Sequence, residues 1–211
     1  MTRHLQHCAA TALLALGLLG GCSSLLPKPV PLPAQYTLDD TAPGAVSAAP
    51  LPAPGASAPT LVVNAPKAAP GFDTAHIVYV RRTHEIEYFA HNQWVDTPSR
   101  MLTPLIARAI ERSGAFRAVL AAPTAATGRF RLDTELVRLQ QDFSSTPSRV
   151  RFTLRAVLID TASRSVVARR EFDASVASTS EDPYGGVISA QAVTQQVLAQ
   201  LAAFCAEAAA R

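Results

Sequence analysis

The chain reads as an α+β domain: a mixed, largely antiparallel sheet of about six strands with two main helices packed on one face. Three observations predict this class. Period-two alternation of apolar and polar residues recurs in three successive segments between Arg129 and Val176, the pattern of strands with one buried and one wet face. A stripe at helical spacing, Leu102, Leu105, Ile106, Ala109 and Ile110, marks a middle helix. A second stripe, Val193, Val197, Leu201 and Phe204, marks a long last helix. Helices on the apolar face of a sheet would bury both stripes.

Taken in order, Leu61-Val62-Val63 is β-branched and flanked by prolines, so it predicts a short strand, and Ile77–Val80 predicts a second. A third covers Glu85–Ala90, with Asn92-Gln93 before Trp94 read as a turn. The middle helix starts at Asp96 or Thr97 with Pro98 in its first position, or at Thr103 with Pro104 there. Ser113-Gly114 ends it. Phe116–Leu120 follows as a strand and 121–128 as a loop.

Phe130, Leu132, Thr134 and Leu136 then alternate with charged residues, as do Val150 to Leu158 and Val166 to Val176. Short polar joints at 142–148 and 161–164 make an antiparallel meander the simplest topology. Its wet face places arginines opposite acids. Arg170 falls on the buried side of its strand and must snorkel, pair or mark an interface. Pro183-Tyr184-Gly185-Gly186 reads as a turn into the last helix, about Val187–Ala208, whose outer face is rich in glutamine and alanine and almost free of charge.

The N-terminus is organised differently. Thr2-Arg3-His4 is a short basic start, and Ala9–Leu19 gives eleven uncharged residues, too few for the roughly 20 that span a bilayer. Small residues and Cys22 follow. This is the layout of a secretory signal over residues 1–21, and Leu19-Gly20-Gly21-Cys22 resembles a bacterial lipobox, which implies that Cys22 becomes the acylated N-terminus. Ser23 and Ser24 stand where an aspartate would favour inner-membrane retention, so the resemblance implies the outer membrane. Alternating prolines at 27–33 favour an extended tether over residues 22–34. The domain then covers 35–211, with 40–59 a loop rich in proline and alanine.

Composition narrows the function. The formal charge is +3, falling to about +2 without Arg3, and no element carries a basic stripe. That argues against a nucleic-acid partner. Of three cysteines only Cys205 would remain unmodified, so the mature domain has no internal disulfide. Cys205 reads as a small buried hydrophobe.

His76, His84 and His91 lie near Glu85 and Glu87. Strand alternation separates His84 from His91 and brings no ligand set together, so no metal, cofactor or acid–base site is expected. Nucleophile and phosphate-loop signatures are missing, and nothing favours an enzyme. Trp94, the only tryptophan, either packs against the middle helix or joins Tyr79, Phe89 and Arg170 in a partner interface.

The order of Tyr36-Thr37-Leu38, Ile77-Val78-Tyr79, Glu85–Phe89, Asn92–Asp96, the Leu102–Ile110 helix, Phe130–Leu136, Phe172 and an Ala/Gln-rich last helix resembles the ABC-type transport auxiliary lipoprotein family, from about Tyr36 to Phe204. The resemblance implies that Tyr36–Leu38 is the first strand. It implies a non-enzymatic docking lipoprotein of an envelope lipid-transport system, without cofactor or catalytic residue. Its partners would be a substrate-binding protein of the mammalian-cell-entry (MCE) type, a permease and an ATPase, and its assembly a homo-oligomeric ring. The rival readings are an envelope assembly lipoprotein that binds lipopolysaccharide or an outer-membrane protein, and a lipid hydrolase using His84 or His91.

Overall fold

A computed structural model of the protein describes residues 31–39, 54–55 and 57–210. The signal segment, Cys22, most of the tether and most of the 40–59 segment lie outside the described residues. In chain order the elements are β1 (Ala34–Tyr36), β2 (Thr60–Val63), β3 (Lys67–Ala68), β4 (His76–Val80), β5 (Glu87–Trp94), α1 (Pro98–Glu111), β6 (Ala118–Ala121), β7 (Phe130–Asp142), β8 (Arg149–Asp160), β9 (Ser165–Ala177) and α2 (Pro183–Ala209). The class is α+β, as expected. The described residues form nine strands rather than about six.

The thirteen residues of β7 form the spine. One edge pairs antiparallel with β8 along its length, from Phe130↔Asp160 to Asp142↔Arg149. The other edge is shared by three short strands, all parallel to it: β2 (Leu61↔Phe130), β3 (Lys67↔Glu135) and β4 (Val80↔Asp142). Beyond β2 lies β6, and beyond β4 lie β5 and then β1. The expected meander of β7, β8 and β9 is present.

Local expectations differ from the structure where neighbours or bulges intervene. Asn92 and Gln93 are not a turn. They stay in β5 because β1 pairs with both and β4 pairs with Gln93, so ladder bonds on two edges override turn propensity. The hairpin turn sits earlier, where Glu85 N–H donates to the Arg82 carbonyl at 3.2 Å. The first strand is Ala34–Tyr36 rather than Tyr36–Leu38, and Leu38 is instead a buried anchor.

Asp39 fastens that anchor. Its N–H donates to Gln191 Oε1 of α2 at 3.0 Å, and Gln191 Nε2 returns bonds to Asp39 Oδ1 and the Thr37 carbonyl. In β9 a register shift against Leu158/Ile159 turns Val166 outward, to 59% exposure, while Val167 packs on the core. A bulge there reverses the alternation.

Both helices back one face. α2 packs on β8 and β9, and α1 on β6, β2 and α2. α1 starts at Pro98, after Thr97 in extended conformation, so the Thr103–Pro104 start is excluded and Pro104 lies inside the helix. Glu111 is its last residue, and Gly114, at φ +69°, turns the chain away.

α2 begins four residues earlier than the pattern predicts. Asp182 Oδ1 accepts from Gly185 N–H at 2.7 Å with Pro183 in the first position, so the supposed turn is the first helical turn. Its two glycines permit close approach. A Cβ on Gly185 would lie 2.5 Å from the Ser180 carbonyl oxygen, and one on Gly186 would meet the buried Gln141 amide. Gln141 in turn donates to Ser148 Oγ at 3.0 Å and Ser178 Oγ at 3.3 Å, tying β7 to the residues just before β8 and just after β9.

The opposite face of the meander carries a charge ladder. Arg155 bridges Glu135 (2.6 Å) and Glu171 (2.9 Å), and Arg151 holds Asp173 through Nε at 2.9 Å and through Nη2. The Arg151 bond, aided by one from Thr153, holds the Asp173 carboxyl down to about 2 despite partial burial.

Two outcomes follow. Gly185→Ala should destabilise the domain by about 1–3 kcal/mol in urea unfolding, because the Ser180 backbone cannot move aside. An unhindered helical Gly→Ala change would instead stabilise by about 1 kcal/mol. The Asp173 contribution is complete above the ordinary aspartate value of 3.8 and is lost as pH falls toward about 2. The Asp173 side chain is 39% exposed, so solvent screening keeps the effect under about 1 kcal/mol. Asp173→Asn should flatten the stability profile as pH falls from 3.8 to about 2.

Candidate partner-binding surfaces

The structure divides the four residues expected at an interface. Trp94 ends β5 at 3% exposure and belongs to the core, so it presents no exposed patch. Tyr79 is likewise buried in β4. Its ring lies 4.4 Å from Phe89 and 5.8 Å from Phe143, and its hydroxyl donates to Glu87 Oε2 at 2.8 Å. That bond, with burial, raises the Tyr79 pKa above the ordinary phenol value. Arg81 caps the ring at 5.1 Å and pairs with Glu87 at 3.7 Å. The cluster welds β4 to β5 and to the end of β7.

Phe89 and Arg170 keep accessible surface, but they stand on β5 and β9, with β4, β7 and β8 between those strands in the sheet. The four residues therefore do not form one patch. Arg170 snorkels, as its strand position requires: the guanidinium lies 6.0 Å from the Phe172 ring centre and 5.5 Å from that of Phe204. It covers the seam between β9 and α2 with cation–π contacts.

The histidines stay apart as ligands. His76 stacks on Tyr88 at 5.3 Å, His84 sits in the hairpin turn at φ +70°, and His91 is exposed on β5. No cluster of three or more metal-ligating side chains occurs among the described residues. Cys205 is fully buried, and loss of solvation pushes its thiol up to about 12.

The most distinctive surface was only half visible in the sequence. Across about 40 Å of α2, the exposed side chains include Tyr184, Ile188, Gln196, Ala199 and Gln200, and the only charged residue of the helix is Glu207. Beside this face, α1 and α2 enclose a groove of about 370 Å³ walled by Leu105, Ala109, Leu198, Ala199 and Ala202. Asp39 and Arg112 also line it. The lack of charge on α2 was legible, but the groove depends on how the helices cross. A surface with few charges suits protein packing, since few ions must be desolvated.

The domain is a two-layer α+β fold whose longest helix carries a single charged residue, Glu207. The sequence pattern of the ABC-type transport auxiliary lipoprotein component matches residues 36–204, and the chain belongs to that family. A solved Xanthomonas campestris protein of the DUF330 family is 23% identical, covers 74% of this chain and 91% of its own, and superposes at a TM-score of 0.66. A second solved structure, described as an uncharacterized protein, is 14% identical, with 84% and 98% coverage and a TM-score of 0.59. Both share the fold. No curated protein matches the chain in sequence.

In a chain carrying Cys8→Ser and Cys22→Ser, iodoacetamide at pH 8 should leave native Cys205 unlabelled and modify it promptly in urea, as read by intact mass. Prompt labelling of the native domain would contradict a sealed thiol.

Proposed function

We propose that this protein is a non-enzymatic, lipid-anchored docking component of an MCE/ABC-type lipid transporter in a Gram-negative envelope. Cys22 carries the acyl chains after removal of residues 1–21, and the proline-rich segment spaces the domain from the membrane. With more than one chain such an anchor holds far more firmly than a single myristoyl group. Ser23 after the cysteine favours the outer membrane. Its partners are the MCE-domain protein of the periplasm and, through it, the permease and ATPase. Several copies assemble as a homo-oligomeric ring.

Family membership over residues 36–204 is the observation that carries this reading. The face of α2 whose one charge is Glu207 supplies a recognition surface, and Phe89 and Arg170 are further contact candidates on β5 and β9.

The test is co-purification from solubilised envelopes. The wild-type chain should recover the MCE protein. Ala199→Glu with Gln196→Glu should lower recovery at least about tenfold, since two charges desolvated at an interface cost more than about 1.4 kcal/mol. Cys22→Ser should release the chain from the membrane fraction. Recovery of lipopolysaccharide or an outer-membrane assembly factor, with no MCE protein, would overturn the reading.

A further inference from the structure

On the charged face of the sheet, a cleft of about 470 Å³ opens beneath the 81–86 turn. The register of β7 builds it. Leu136 pairs with Leu154 and Arg138 with Thr153, so Val137 is the extra residue of a bulge. Both Val137 and Arg138 then line the cleft, an apolar and a cationic side chain set next to each other. Phe72 and Ile86 complete the apolar wall, and Ile86 is 42% exposed.

The charges around the cleft are not equally engaged. Arg82 pairs with Glu85 at 3.7 Å across the turn. Arg151 is held by Asp173. Among the described residues Asp142 accepts the Ser144 N–H, at 2.8 Å, and has no cation within ion-pair distance, though its charge reaches Arg151 at longer range. Arg138 is half-buried and makes no hydrogen bond or ion pair among the described residues. A cation and a carboxylate thus stand in one cleft without pairing to each other, beside an exposed apolar wall. Arg138 feels the Asp173 carboxylate only at longer range, so its guanidinium donors keep no hydrogen-bond acceptor among the described residues.

We infer that this cleft binds the zwitterionic headgroup of a phosphatidylethanolamine. The phosphate oxygens accept from Arg138, the ammonium donates to Asp142, and the glycerol and first acyl carbons lie on Ile86, Phe72 and Val137. The presence of both signs selects a zwitterion over a simple anion, and the apolar wall selects a lipid over a free headgroup. The cleft volume lies in the range of small-ligand sites. This deepens the lipid-transport reading and rests on it for the supply of lipid. The binding itself is measured without any transport partner, so either can fail alone.

The acylated full chain in a neutral detergent is titrated calorimetrically with dihexanoyl phosphatidylethanolamine, dihexanoyl phosphatidylglycerol, phosphoethanolamine and inorganic phosphate. Phosphatidylethanolamine should bind saturably and at least about fivefold tighter than phosphatidylglycerol, with both headgroup fragments weaker. Arg138→Gln should weaken it about tenfold, the size of one charge-assisted hydrogen bond, and Arg138→Lys less. Asp142→Asn should erase the preference over phosphatidylglycerol, and Ile86→Ser should weaken lipid but not phosphoethanolamine. Equal affinity for the two lipids, inorganic phosphate binding as tightly as lipid, or an unchanged affinity in a folded Arg138→Gln chain would overturn the inference.

Discussion

Everything else in the domain depends on the shared edge of β7. A single strand of thirteen residues accepts β2, β3 and β4 in sequence along one side, all parallel, and β8 along the other. The chain from Leu61 to Val80 therefore tracks β7 from end to end. Between Val63 and Lys67, Asn64 keeps register by donating from its backbone to the Leu132 carbonyl and from its amide to Asp133 at 2.6 Å. Because Leu132, Leu136, Leu154 and Phe152 are all sealed from solvent, slipping the spine by one residue would turn a row of leucines into water. That row gives α2 the apolar surface it packs on, and α1 then packs on β6, β2 and α2.

The meander and both helices were legible because each carries a long, uninterrupted period. What the sequence hid was local geometry created by neighbours. Two bulges, at Val137 and Val167, each reverse a period that looks continuous when read residue by residue. Asn92 and Gln93 carry turn chemistry yet sit between two strands, a tertiary fact with no local mark. The two residues of β3 are too few to show a period. The start of α2 could have been found: Asp182-Pro183 is a capping pair, and the glycines after it serve close approach to Ser180 and Gln141 rather than a turn.

The functional surfaces follow the same division. Family character was readable from spaced aromatic and apolar segments, and the uncharged face of α2 from composition alone. The core placement of Trp94 was one of two open alternatives, and packing against the rest of the fold decides it. The cleft beneath the hairpin turn had no sequence signal, because Val137 and Arg138 adjoin it only through a bulge. Arg170 was marked in advance by polarity in an apolar phase, and its position over Phe172 and Phe204 is the answer that a long amphipathic side chain permits.

The strand that opens the described domain has a mechanical consequence. A pull on the preceding chain enters through the three residues of β1, which among the described residues pair only with β5. Just behind them, Leu38 is buried in the core and the Asp39–Gln191 bonds fasten the chain to α2, so tension that strips β1 next meets a strap on the longest helix. The other eight strands lie past both holds. The domain thus has a sacrificial leader: the first segment can peel away and re-zip while the hydrophobic interior stays sealed.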